Sequence, residues 1–315
     1  MCVSLHGRIF PQLFSVLHVS SSRLSFRRDP RRHIRFPRLA RALIRLRQAW
    51  RCLRVLKYMH HPLGYHFAPA QDQIEIDLTY LCNLRCNNCN RSSAQAPESL
   101  HLELAQLRQF VVDSIEQGRK WKRIRLLGGE PTLHPQFEEV FGILERLRSL
   151  YPAMKIEVVS NGYGDKVRRK LEALPKHIWV ENSSKQGNIQ PHFGPFNLAP
   201  QDAWWHRWVD YRHGCNIPQE CGMGLTPTGY YPCAVAGGID RVTRQGSGRA
   251  RLPAQDDNMR DLMNRACRLC GRFRDGYFVP YNLRPPLDEQ LTSQSWQKIY
   301  VDWSELKNKN VATKE

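Results

Sequence analysis

Three cysteines stand within eight residues, Cys82-Asn83-Leu84-Arg85-Cys86-Asn87-Asn88-Cys89, directly after the stretch Ile74-Glu75-Ile76-Asp77-Leu78-Thr79. The strict apolar/polar alternation of that stretch predicts a strand with one face buried, which puts the C-x3-C-x2-C run on a loop at the strand's end. Five more cysteines, Cys215, Cys221, Cys233, Cys267 and Cys270, fall in a second group, while Cys2 and Cys52 lie near the N-terminus and are expected to carry no chemistry. The apolar stretch near residues 9–19 is broken by Pro11, Gln12 and His18, so it does not read as a secretory signal, and metal or redox use is favoured over a disulfide framework. Three thiolates on one loop can hold three corners of an iron–sulfur cube and leave the fourth iron open. Structural zinc sites and ordinary ferredoxin clusters, by contrast, close with four ligands.

The chain of 315 residues, 41% hydrophobic and 10% aromatic, suffices for one large α/β domain with a small extra module and excludes global disorder. No apolar run approaches the roughly 18 residues that a membrane span needs. The formal charge of +18 is uneven: residues 1–71 hold 14 Lys or Arg and one acid, Asp29, so they carry +13 and residues 72–315 only +5. Residues 1–36 are Arg-rich, Ser-rich and acid-poor, as transit peptides are. From Pro37 to His60, the spacing of Leu39, Leu43, Leu46, Trp50 and Leu53 predicts an amphipathic helix, with Arg38, Arg41, Arg45, Arg47, Arg51 and Arg54 filling much of the rest. Such a helix could dock its apolar stripe on the body of the protein or lie on an anionic membrane surface.

Beyond Cys89 the pattern alternates: helix over 101–117, strand at Ile124–Leu127, helix at Phe137–Leu150, strand at Ile156–Ser160, helix at Lys166–Leu174, strand at Ile178–Val180. Repeated βα units argue for a parallel sheet whose ligands bind at the carboxyl ends of the strands. The polar motifs fall there. Gly128 and Gly129 allow close backbone approach, Glu130 can accept from an ammonium, and Pro131 follows; Ser160-Asn161-Gly162 and Glu181-Asn182-Ser183-Ser184-Lys185 end the next strands. Residues 191–214 mix aromatics (Phe193, Phe196, Trp204, Trp205, Trp208, Tyr211) with His and Asp, which suits either a sugar-stacking surface or a hydrophobic cap.

Cys82, Cys86 and Cys89 followed by Gly128-Gly129-Glu130-Pro131 resemble the radical S-adenosylmethionine (radical SAM) superfamily, over roughly residues 72–200. The resemblance implies an α/β fold, a partial (β/α)6 barrel of the radical SAM type. It implies a 4Fe-4S cluster on Cys82, Cys86 and Cys89, with SAM on the open iron, cleaved by one electron to a 5′-deoxyadenosyl radical that abstracts hydrogen. Gly128, Gly129, Glu130, Pro131, Ser160, Asn161, Ser183 and Lys185 form the implied SAM-binding set. An electron donor such as flavodoxin or ferredoxin is implied as a partner. Many members carry an aromatic residue just before the third cysteine; here it is Asn88.

In the second group, Cys221 and Cys233 flank a hairpin-like Pro227-Thr228-Gly229 turn, and Cys267 and Cys270 form a C-x2-C knuckle. By count, four thiolates suit zinc or an iron–sulfur cluster equally. The arrangement resembles the auxiliary-cluster modules of the superfamily, nearer the twitch than the larger SPASM form, and implies a second 4Fe-4S cluster on Cys221, Cys233, Cys267 and Cys270. Cys215 is then a replacement ligand, a small buried residue, or a hydrogen-atom donor as in radical epimerases. The expected organisation is a basic arm with an amphipathic helix over 1–71, the partial barrel over 72–214, the auxiliary module over 215–286 and a C-terminal helix or tail over 287–315. The expected activity is that of an oxidoreductase or epimerase acting on a small polar, carbohydrate-like molecule, cytoplasmic and in contact with membrane through the arm. The alternatives are radical modification of a peptide or RNA, and a non-catalytic zinc protein that binds nucleic acid, which leaves Gly128–Pro131 unexplained.

Overall fold

The computed structural model describes residues 37–185, 187–190, 194, 196–276 and 292–312. Cys2 with the rest of segment 1–36, and Pro191, His192 and Phe193, lie outside them. The described chain opens with α1 (Pro37–Arg54) and α2 (Lys57–Leu63). It then runs through β1 (Gln73–Thr79), α3 (Leu104–Glu116), β2 (Arg123–Gly128), α4 (Phe137–Leu150), β3 (Lys155–Ser160), α5 (Asp165–Glu172) and β4 (Trp179–Asn182). Two 3-10 turns, Pro200–Asp202 and Trp204–Trp208, and the one-turn helix α6 (Ile217–Glu220) lead to β5 (Met223–Thr226) and β6 (Gly229–Tyr231). Helices α7 (Ala234–Thr243), α8 (Arg260–Ala266), α9 (Arg272–Asp275) and α10 (Gln294–Ala312) follow.

The strands form one sheet in the order β4-β3-β2-β1-β5-β6, parallel throughout except for the β5–β6 hairpin. Four strands are linked by the βα units that the periodicity predicts. The other two are not further βα units: they form a hairpin whose first strand pairs with β1. The fold is thus α/β with a mixed sheet, and the sixfold βα repeat is not completed among the described residues.

One face of the sheet is apolar. Ile74, Ile76, Ile124, Leu126, Ile156 and Val158 pack with Leu107 and Phe110 of α3 and Val140, Leu144 and Leu147 of α4. The start of α3 is set by a capping box, in which the Glu103 carboxylate takes the N–H of Gln106, and the Gln106 side chain accepts from the Glu103 N–H at 3.2 Å. The opposite face differs from the one-sided strand that the alternation predicts, for Glu75 and Asp77 are buried too. Glu75, Arg125 and Glu157 are cross-strand neighbours in one row. Arg125 donates to Glu75 at 2.5 Å, to Glu157 at 2.9 Å and to Glu181 of β4 at 2.8 Å. Burial pushes the Glu75 carboxyl up, but Arg125 and Arg91 outweigh it and hold the group below the usual carboxylate range.

Helix α1 also departs from expectation. The predicted continuous helix to His60 breaks at Val55 and Leu56, where the Val55 carbonyl accepts from the Asp210 N–H at 2.7 Å and Leu56 bridges to Val209. Among the described residues the apolar stripe does not dock on the body of the protein: Leu39, Leu46, Trp50 and Leu53 are exposed and Leu43 is half-buried, while Ala40, Arg51, Arg54 and Val55 are buried. Arg51 enters through its hydrogen bonds, donating to the carbonyls of Gly214 at 2.6 Å, Arg274 at 3.4 Å and Phe273, with its guanidinium over the Phe273 ring.

Arg125→Met is expected to cost about 3–5 kcal/mol, because it strands buried carboxylates. Arg148→Met breaks only a surface pair with Glu145 and is expected to leave the unfolding midpoint close to that of the parent. Urea unfolding at neutral pH checks the contrast, and equal losses would remove the buried row as a determinant of stability.

Candidate functional site

The sheet brings the predicted strand-end motifs together. The Gly129 N–H donates to the Thr79 carbonyl at 2.7 Å and the Glu130 N–H to the Leu81 carbonyl at 2.8 Å, so the segment after β2 is laced to the residues leading into Cys82. This closeness is why glycines stand there. Gly128 has φ +132°, and a Cβ on it would lie 2.2 Å from the Thr79 oxygen; one on Gly129 would lie 2.3 Å from that of Leu81. Glu130 is fully buried. Its carboxylate accepts from the Thr132 hydroxyl at 2.8 Å, the Ser160 hydroxyl at 2.9 Å and the Asn161 N–H at 2.9 Å, so it ties the end of β2 to that of β3. Pro131 is buried at the start of a 3-10 turn that this carboxylate caps. Ser183 continues the chain of links, its hydroxyl donating to the Ser160 carbonyl at 2.7 Å.

The cysteine loop sits on this frame. Cys86 is buried and Cys82 and Cys89 are half-buried. Burial pushes the Cys82 thiol up to about 11 and raises that of Cys86. Against burial stand donors aimed at sulfur. The Leu84 N–H lies 3.5 Å from Cys82 Sγ, the Asn161 amide 3.8 Å from it, and the Gln190 amide 3.2 Å from Cys86 Sγ. The Lys185 ammonium also lies close enough to favour the thiolate forms of both. Donors and a cation around thiols suit an anionic, thiolate-ligated group. Asn88, standing where an aromatic is common, is buried and exchanges two hydrogen bonds with the Gln190 backbone, at 2.8 and 2.9 Å. It clamps the loop. Beyond Cys89, Arg91 is buried and reaches back to Asp77 at 3.1 Å and Glu75 at 3.4 Å.

A second set of thiols lines a small cavity between the loop before α6 and helices α7 to α9: Cys215, Cys233, Cys267 and Cys270, with His213 and Arg272. This lining differs by one thiol from the four that the spacing groups together. Cys221 caps the C-terminal end of α6, its sulfur 3.9 Å from the Arg125 guanidinium and beside Glu75, and does not line the cavity. Cys215, eighteen residues before Cys233, does line it. Burial, then the neighbouring thiols, pushes Cys270 up to about 12 and raises Cys233 and Cys267. His213 is buried with both ring nitrogens unbonded among the described residues, and burial lowers its pKa to about 4. Among the described residues no three His, Cys, Asp or Glu side chains close tightly around a single ion; the four thiols surround a space instead.

The aromatic segment is divided. Phe196, Asn197, Tyr211 and His213 are buried, whereas Trp204, Trp205 and Trp208 are exposed and do not line the cavity. The sequence reading missed Gln190 and the Glu75–Arg125–Glu157 row. The row was detectable as opposite charges at the polar positions of three successive strands.

Residues 76–181, from Ile76 of β1 to Glu181 of β4, match the model of the Radical SAM superfamily. Among curated proteins, the chain is similar to GTP 3',8-cyclase of Mannheimia succiniciproducens, 32% identical over 92 residues, or 29% of this chain and 26% of that protein. It is also similar to GTP 3',8-cyclase of Haemophilus ducreyi, 27% identical over 118 residues, or 37% and 31%. The chain thus spans less than a third of the length of these relatives. Among solved structures, the crystal structure of BtrN in complex with AdoMet and 2-DOIA aligns with a TM-score of 0.37 and 14% identity, covering 67% of this chain and 98% of that one.

Gly129→Ala is expected to cost about 1–3 kcal/mol through overpacking against backbone. Gly142→Ala, in open space on α4, should gain up to about 1 kcal/mol. Thermal unfolding of both variants checks this, and a Gly129→Ala chain as stable as its parent would mean that the cysteine loop does not rest on the glycines.

Proposed function

We propose that this chain is a radical SAM enzyme, with a 4Fe-4S cluster and SAM at the ends of β1 to β4 and a second 4Fe-4S cluster in the cysteine cavity. The observation that carries the reading is the cysteine loop held on Gly128–Glu130 within the matched domain. Cys82, Cys86 and Cys89 would hold the first cluster, and Cys215, Cys233, Cys267 and Cys270 the second. When bound, these groups supply a hydrogen-abstracting 5′-deoxyadenosyl radical and an electron sink. The chain's own residues position and shield. Asn161, Gln190 and Leu84 direct N–H groups at the ligand sulfurs, and Lys185 offers positive charge near them. Gly128, Gly129, Ser183 and Lys185 are each at least partly accessible at the strand ends and would face SAM there. Glu130, Ser160 and Asn161 are buried in one another's hydrogen bonds and act by fixing the ends of β2 and β3.

The place of Cys215 beside three other thiols favours a ligand over a hydrogen-atom donor, and so dehydrogenation over epimerisation. Charged side chains on the sheet face away from α3 and α4 support a small polar, carbohydrate-like substrate over an apolar one. An external flavodoxin or ferredoxin would deliver the electron, in a cytoplasm poor in oxygen.

Anaerobic iron and sulfide analysis tests the reading. About eight irons per chain are expected, falling to about four in Cys82→Ala/Cys86→Ala/Cys89→Ala. Cys215→Ala should lose the second cluster and Cys221→Ala should keep it; the reverse would restore the spacing-based set. Four irons falling to none would remove the second cluster altogether. Product analysis in deuterated water separates the reactions: a ketone without deuterium is expected, and deuterium at an inverted carbon would establish an epimerase.

A further inference from the structure

Helix α1 presents its apolar side to solvent. Leu39, Leu46, Trp50 and Leu53 are each about half to two-thirds exposed, and Ala42 and Ala49 between them are exposed as well. Their spacing makes one stripe along the helix. The inward side is taken by Arg51 and Arg54, bound to backbone carbonyls. Arg38, Arg41 and Arg45 border the stripe and are exposed. Residues 37–63 contain seven Lys or Arg and no Asp or Glu. Beside the α1–α2 joint, Trp204, Trp205 and Trp208 form an exposed cluster of edge-on rings, with centroids 6.0 and 5.8 Å from Trp204. This cluster is held to the joint by the Leu56–Val209 bridge and by the Lys57 ammonium donating to the Arg207 carbonyl at 3.3 Å.

We propose that α1 is an in-plane membrane anchor. It seats the Leu39–Leu46–Trp50–Leu53 stripe in the surface of a bilayer containing anionic phospholipid, with its arginines at the headgroups and the tryptophan cluster at the same interface. Stripe and charge together select this occupant. A second copy would bring two all-basic faces together, and like charges repel across an interface. Nucleic acid would use the arginines but leave the leucines in water. A bilayer surface takes both, and tryptophan rings favour that depth. No helix among the described residues is long and apolar enough to cross a membrane, so the contact is one of lying on the surface.

The test is co-sedimentation of the whole chain with vesicles of phosphatidylcholine alone or of an equimolar mixture with phosphatidylglycerol. Binding should be at least about tenfold stronger to the mixture, and salt should weaken it. Leu46→Glu/Trp50→Glu and, independently, Leu39→Glu/Leu53→Glu should each lower binding by about tenfold or more with unchanged unfolding midpoints, since all four residues are exposed. Several outcomes would overturn the proposal. These are no binding, equal binding to both vesicles, binding retained by both variants, or binding that emerges only when residues 1–36 are removed. A dimer of the whole chain that the variants dissociate would show a second copy on the stripe and would overturn it as well. None of these measurements depends on the clusters, so the anchor stands or falls apart from the enzymatic reading.

Discussion

Two buried guanidinium groups organise the polar face of the sheet. Arg125 gathers Glu75, Glu157 and Glu181 across four strands, and Arg91 returns from beyond the cysteine loop to Asp77 and Glu75. Such ions are costly to remove from water and tolerable only when fully paired. Their value here is positional. Glu75 is shared, so the loop that carries Cys82, Cys86 and Cys89 is referenced to the same charge that aligns β1 with its neighbours. Arg241 of α7 extends the arrangement, donating to the Arg91 carbonyl at 2.9 Å and lying over the Tyr80 ring.

The candidate site is therefore framed before any cofactor arrives. The residues most readily assigned to ligand contact, Glu130 and Ser160, satisfy each other, and the glycines make room first for the protein's own backbone. An open-iron cluster needs a rigid, partly enclosed loop, and hydrogen bonds to sulfur from fixed amides are how a protein tunes such a group. The second set of thiols follows a different plan, with short helices surrounding a cavity.

Much of this was legible in the sequence. Helix Phe137–Leu150 has the predicted ends because its apolar period and flanking residues agree, and the Cys82–Cys89 and Gly128–Pro131 motifs meet because both follow strands of one parallel sheet. Spacing alone could not say which of Cys215 and Cys221 faces the cavity. That depends on β5 pairing with β1, which leaves Cys221 beside Arg125. Alternation in β1 marked two faces but not what covers the second. In α1, periodicity revealed the stripe but not its direction, because a buried arginine that binds carbonyls can outcompete leucine for the docking side.

The pairing of β5 with β1 also bears on how the chain reaches this state. Ile74 pairs with Met223, a partner that emerges from the ribosome long after β1, its βα neighbours and β4 are complete. Until then β1 is a sheet edge with unpaired amides and an apolar row, the arrangement most prone to recruit another chain. Contacts so distant in sequence also slow folding. The strand that delivers Cys82 is thus central in the finished protein and exposed for much of its synthesis, a vulnerable interval in which the charges along one face, not yet covered, would discourage mispairing.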